Sequence, residues 1–231
     1  MKMKFPRNPN DVVEWDVTNW SKGLKLWAKL TQLAPSKKLA LEIGSRNGGL
    51  SLWLGMNGMN VICSDLNSPT VSAAKLHERY GIKELVQYEA IDALNIPYSE
   101  KFDLIIFKSV LGGIGSNNNL ENQKKAIDQF HKALKNGGEL WFAENLVASP
   151  IHQLFRKKFV PWGNRWRYVS IEEMKMFFSQ FSEIRFSTFG FLGSFGRAPL
   201  QRKLFGLIDS IVFDHFLPDN WHYIIAGIAK K

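Results

Sequence analysis

Over the first 146 residues, short continuous apolar runs alternate with segments whose apolar positions recur at helical spacing. Residues 15–33, WDVTNWSKGLKLWAKLTQL, place Trp20, Leu24, Trp27, Leu30 and Leu33 on one face, which predicts a helix stopped by Pro35. KLALEI (38–43) is a buried-strand run halted by Gly44. Residues 48–57 read as a helix closed by Gly58. NVICSD (60–65) is a second strand, and SPTVSAAKLHERYG (68–81) is a helix opened by Ser-Pro and closed by Gly81. LVQYEAID (85–92) and FDLIIFKSV (102–110) are the third and fourth strands. LENQKKAIDQFHKALKNGG (120–138) is an amphipathic helix ending in a glycine pair, and ELWFAEN (139–145) is a fifth strand.

Strands that alternate with helices predict a parallel sheet covered on both faces, and the near-continuous apolar strands agree with two-sided burial. After residue 146 the rhythm changes. IHQLFRKKFVPWGNRWRYVS (151–170) is basic and aromatic, and SIEEMKMFFSQF (170–181) is a helix with a serine cap and early acids. EIRFSTFGF (183–191) and HYIIAGIAKK (222–231) are strand-like, with a further helix between them at about 199–216. A long connection of this kind is usually a lid or a binding loop. The organisation expected is one α/β, doubly wound domain over residues 1–231. It has an N-terminal helical cap (1–36), a ligand-binding core (37–146), and acceptor-side cap insertions at 147–170 and 190–221.

Composition narrows this picture. With 231 residues, 45% hydrophobic and 22% charged, the chain suits one globular domain. No apolar run nears the ~20 residues of a membrane span, and MKMKFPRNPNDVVEWD lacks the apolar stretch of a signal peptide. The lone Cys63 cannot form an internal disulfide or a thiolate metal cluster. These features favour a cytoplasmic protein. Of the net charge of +9, +6 falls in residues 146–231. That excess attracts anions without by itself indicating nucleic acid.

The chemistry concentrates in LEIGSRNGGLSLWL (41–54). A strand that turns through Gly44 into a helix offers free backbone N–H groups to a polar or anionic ligand. Gly48 and Gly49 let the helix start close to the strand. Asp65, 21 residues after Gly44 at the end of the next strand, can accept both hydroxyls of a ribose. A dinucleotide loop has a glycine at its third position, where this chain has Arg46. Glu42 beside the turn suits a ligand ammonium, and Asp92 in IDALNIP suits an exocyclic amine.

These residues resemble the class I S-adenosylmethionine-dependent methyltransferases. EIGSRNG supplies Glu42, Gly44 and Gly48 of the family's acid-and-glycine motif, Asp65 its acid after the second strand, and Asp92 its residue near adenine. FDLIIFKSVLGGI and LKNGGELWFAEN resemble the later motifs. The resemblance implies a mostly parallel seven-stranded sheet with the last strand antiparallel, S-adenosyl-L-methionine as cofactor, and methyl transfer. It also places Ser45, Leu66, Ala93 and Lys108 at the cofactor. Two departures stand out: Arg46 for the middle glycine, and Gly112-Gly113 where many small-molecule members carry a histidine pair.

The expected acceptor is an O or N of a small-molecule, sugar or lipid-linked compound, anionic ones included. Glu144 and His152 are the candidate bases by position. His77 and His131 fall mid-helix and read as surface residues, His215 and His222 as weaker candidates, and Arg46 as facing water. Glu144-Asn145 would suit a metal only with another oxygen ligand near Lys108, so no metal is expected. Trp162 and Trp166 are expected in a cap over the acceptor. The helix at 199–216 is expected to pack on the domain or on a partner subunit, such as a second copy. A surface-lying membrane helix is the lesser reading. Three other functions compete: an RNA methyltransferase, a nicotinamide oxidoreductase, and a non-catalytic cofactor-binding module.

Overall fold

The computed structural model describes residues 3–34, 37–160 and 165–231, so Pro35 and Trp162 lie outside the described residues. Seven strands form one sheet: β1 (Leu39–Ile43), β2 (Asn60–Asp65), β3 (Val86–Ala90), β4 (Phe102–Lys108), β5 (Leu134–Asn145), β6 (Glu183–Phe189) and β7 (Ile224–Lys230). Their order is β3-β2-β1-β4-β5-β7-β6, and β7 runs antiparallel to both β5 and β6. The chain reverses its direction of winding between β1 and β4, which pair in parallel. In open sheets of this kind ligands bind at the carboxyl ends of the strands, beside that switch.

The helices are α1 (Val17–Leu30), α2 (Gly49–Met56), α3 (Thr70–Arg79), α4 (Leu111–Ile114), α5 (Leu120–Ala133), α6 (Pro150–Phe159), α7 (Ile171–Phe177) and α8 (Pro199–Ile208), with a last short turn at Asp214–Phe216. One apolar layer covers each sheet face. On the first, Trp27 of α1, Trp53 of α2 and Trp141 of β5 meet with ring centres 5.9–6.2 Å apart. The Trp27 indole N–H donates to the carbonyl of Gly227, so this large aromatic is buried without losing its hydrogen bond. α7 begins with a reciprocal cap in which Ser170 and Glu173 each accept the other's backbone N–H.

Three boundaries differ from the sequence reading. The amphipathic helix stops at Ala133, and Leu134 already pairs with Phe102. A register irregularity and Gly137, at φ +76°, then carry the chain into the rest of β5. The first helix starts at Val17 and ends at Leu30, where Thr31 turns to extended backbone. The helix after Pro199 is not a uniform α-helix: past Ile208 it widens to a π turn at Asp209–Phe213 without a break.

Candidate active site

A cavity of about 680 Å³ opens at the carboxyl ends of β1, β4 and β5. Its floor is the β1–α2 turn (Glu42, Gly44, Ser45, Arg46, Gly49), together with Lys108, Ser109 and Asn145. The segment before α1 supplies Val12, Glu14 and Trp15, and α1 itself supplies Trp20. The roof comes from α6 and its neighbours: His152, Phe155, Arg156, Trp166, Tyr168 and Ser194, with Tyr223 alongside.

The turn takes its shape from residues with positive φ: Gly44 at +66°, Arg46 at +52° and Gly48 at +74°. A Cβ on Gly44 would stand 2.6 Å from a methyl of Val110, so no larger residue fits between the two strand ends. Arg46 adopts the left-handed conformation expected of the missing glycine. Its N–H donates to Asp65 Oδ2 at 2.9 Å, and its guanidinium pairs with Glu14 at 3.0 Å while remaining 78% exposed. Asn47 Nδ2 donates to the same Glu14 carboxylate. The N-terminal segment and Asp65 thus hold this loop from both sides.

Glu42 is 2% exposed. Its Oε2 accepts from the Ser51 backbone N–H at 2.8 Å and from the Ser51 hydroxyl. Among the described residues Oε1 has no hydrogen-bond partner. Burial pushes the Glu42 carboxyl up to about 7, against the Ser51 hydrogen bonds. Three buried polar atoms on the same cavity also lack partners among the described residues: Ser45 Oγ, Trp20 Nε1 and Trp166 Nε1. Native proteins rarely bury polar groups unpaired, and these three belong to residues that line one cavity.

The sequence-predicted residues separate into groups. Glu42, Gly44, Ser45, Lys108 and His152 line the cavity. Asp65, Leu66, Asp92 and Ala93 do not; Asp65 ends β2 and Leu66 follows it, while Asp92 and Ala93 follow β3. Asp65 accepts the N–H groups of Arg46 and Leu66, and Asp92 Oδ1 accepts from Leu94 N–H. Gly48 is a packing residue: an added Cβ would meet Ala73 at 2.7 Å and the His77 ring at 2.8 Å. Gly49, which the cavity does touch, lies beneath the Val12 carbonyl.

Both expected bases are engaged in hydrogen bonds. Glu144 is wholly buried, and its carboxylate accepts from Val110, Leu111 and Asn145 N–H at 2.7–2.8 Å. It caps the start of α4 and does not line the cavity. His152 reaches the cavity, but both ring nitrogens are committed, Nε2 to the Phe191 carbonyl and Nδ1 to the Ser149 hydroxyl. The carbonyl only accepts, so Nε2 carries the proton, and burial pulls the imidazole down to about 4. His77 is also buried, between Gly48 O and Tyr88 OH. The helical spacing of its neighbours was legible, but the cover supplied by β3 was not.

Sequence reasoning missed most of the roof. Trp166 lies against Gly112, where an added Cβ would come within 1.7 Å of the indole nitrogen. The glycine pair that replaces the family's histidines is therefore the space that an aromatic lid residue occupies. Arg156 was read only as part of a basic run. In the structure it is buried, Nη1 donates to the carbonyls of Leu146 and Val147, and the guanidinium stacks on Tyr168 at 3.8 Å. Lys108 places Nζ 4.7 Å from the centre of the Trp20 ring, and burial lowers its pKa.

Residues 41–142 match the model of a methyltransferase domain. No curated protein sequence matches the chain. Solved structures that resemble it share the fold at low identity. One is a Haemonchus contortus phosphoethanolamine N-methyltransferase 2 with S-adenosyl-L-methionine (17% identity, TM-score 0.64, 92% of this chain and 52% of that one). This chain thus spans about half the length of that enzyme. Another is a methyltransferase-like protein of Bacillus halodurans (14%, TM-score 0.60, 91% and 99%). The cyclase SpnF is also similar (16%, TM-score 0.61, 91% and 80%), so the fold by itself does not fix the reaction. The matched region, the strand order and the glycine turn with its two flanking acids agree: residues 41–142 match a methyltransferase domain, and the chain has the Rossmann-like methyltransferase fold.

Proposed function

We propose that this protein transfers a methyl group from S-adenosylmethionine to an oxygen or nitrogen of a small-molecule, sugar or lipid-linked acceptor that carries an anionic group. The observation that supports it most is the cavity at the switch between β1 and β4. Glu42, Ser45, Trp20 and Trp166 all line it, and the last three each carry a buried polar atom without a partner among the described residues.

S-adenosylmethionine, when bound, supplies an electrophilic methyl on a sulfonium. Glu42 would hold its ammonium, and Ser45 Oγ would pair with its carboxylate. Asp65 and Asp92, at the carboxyl ends of β2 and β3 beside the cavity-lining turn, would accept from the ribose and the adenine. Trp15, Trp20, Trp166 and Tyr168 wall the space against water, so the protein contributes alignment and exclusion of solvent. Lys108 is the group best placed to take the acceptor's proton, since it lines the cavity, its Nζ has no described hydrogen-bond acceptor, and burial favours its neutral form.

Arg156 supports an anionic acceptor. It is a buried cation with no carboxylate partner among the described residues, and it borders both the main cavity and a smaller one shared with Lys157, Arg165 and Arg167. An anion there would offset the cost of burying the charge.

The test is calorimetric titration with S-adenosylmethionine, followed by a radiolabelled methyl-transfer screen over anionic and neutral acceptors. Lys108→Met should cut turnover by about 10²–10⁴-fold, with cofactor affinity within about twofold of wild type. Absence of cofactor binding would refute the proposal and favour a non-catalytic module.

A further inference from the structure

The helix after Pro199 turns one face to the domain and leaves the other bare. Inward, Gly206 packs against Thr18 of α1. In the π turn, buried Asp209 accepts from Asn19 Nδ2 at 2.8 Å and from the N–H groups of Leu192 and Gly193. Outward, Leu200, Leu204, Leu207 and Ile211 recur at i, i+4, i+7 and i+11, with Leu200 79% and Ile211 72% exposed. Phe216, 80% exposed, follows at the end. Stray exposed leucines are ordinary, but a five-residue stripe along one fixed helix is a contact surface.

We infer that this face docks the protein on an anionic lipid bilayer, with the roof of the active-site cavity against the membrane. Charge selects that partner. Arg197 and Lys203 flank the stripe, and Arg197 lies over the Phe159 ring at 5.4 Å, which joins the start of α8 to the end of α6. The exposed side of α6 repeats the pattern, with Ile151 and Leu154 beside Lys157 and Lys158. No Asp or Glu occurs in residues 146–171 or 184–208. A symmetric contact with a second copy would set these cations against themselves, whereas an anionic surface neutralises them. No helix among the described residues is long and apolar enough to cross a membrane, so the contact is a surface one. The inner faces of the same elements line the cavity through Phe155, Arg156 and Ser194. A protein docked this way would meet an amphiphilic acceptor at its cavity.

The inference does not rest on methyl transfer, and its test needs no acceptor. The full chain is sedimented with sucrose-loaded vesicles of phosphatidylcholine alone, or with about one third phosphatidylglycerol. Binding is expected only to the anionic vesicles, weakening as salt rises. Leu204→Glu with Ile211→Glu alters exposed positions only, and should lower the partition coefficient at least about tenfold while cofactor binding by calorimetry is unchanged. Lys203→Gln should lower it by about fivefold. No binding to anionic vesicles, or equal binding by the Leu204/Ile211 variant, would overturn the inference. So would a dimer in light scattering that the double variant dissolves while vesicles go unbound, which would assign the face to a second copy.

Discussion

Glu42 offers the sharpest link between burial and function. Its carboxyl is raised from the ordinary 4.5 to about 7 by burial, and the residue lines the cavity. If a ligand ammonium binds there, it binds the ionised form. With a pKa of about 7, roughly a tenth of the protein is ionised at pH 6 and about three quarters at pH 7.5. Affinity for S-adenosylmethionine should therefore rise about eightfold over that interval. Stability should move the other way. Between about 4.5 and 7 the folded state keeps a proton that the unfolded chain has released, so stability falls as pH rises through that window. Isothermal calorimetry at several pH values measures the first effect and denaturant titration the second. Glu42→Gln should bind more weakly, show a flat affinity profile from pH 6 to 7.5, and lose the pH-dependent fall in stability. A flat wild-type profile, or a variant that retains the slope, would refute the assignment of Glu42 to the ammonium.

Gly112→Ala should force the Trp166 indole out of place, costing about 1–3 kcal/mol. Thermal unfolding should drop by about 2–10 °C with a shift in tryptophan emission, and in a Trp166→Ala background Gly112→Ala should cost little further. Glu144→Ala should strip three buried N–H groups of their acceptor and destabilise the protein by several kcal/mol in denaturant titration. Arg46→Gly removes the left-handed strain of a side chain, about 1 kcal/mol, and also an exposed ion pair worth about 0–1 kcal/mol. Its unfolding midpoint and cofactor affinity should therefore stay near wild type.

What the sequence determined by itself was local and periodic. Alternating apolar runs and amphipathic stretches set the α/β class, and Gly44 with Glu42 and Asp65 marked the ligand turn, because a tight strand-to-helix turn constrains residue types within a few positions. Arg46 was also legible as a water-facing residue, although not as one held at positive φ by Asp65 and Glu14. Tertiary structure decided everything that depends on pairing distant segments. His77 reads as a surface histidine until Tyr88 and Gly48 enclose it, and Glu144 reads as a base until the start of α4 claims one of its oxygens and the Asn145 N–H the other. The roof over the cavity is the clearest case. Trp20 and Tyr223 lie 203 residues apart in the chain, with Arg156 and Trp166 between them, and only the closing of β7 onto β5 and the packing of α1 and α6 bring the four to one space. Periodicity reports which face of an element is buried; it does not report what buries it, and at this site the covering partner sets the chemistry.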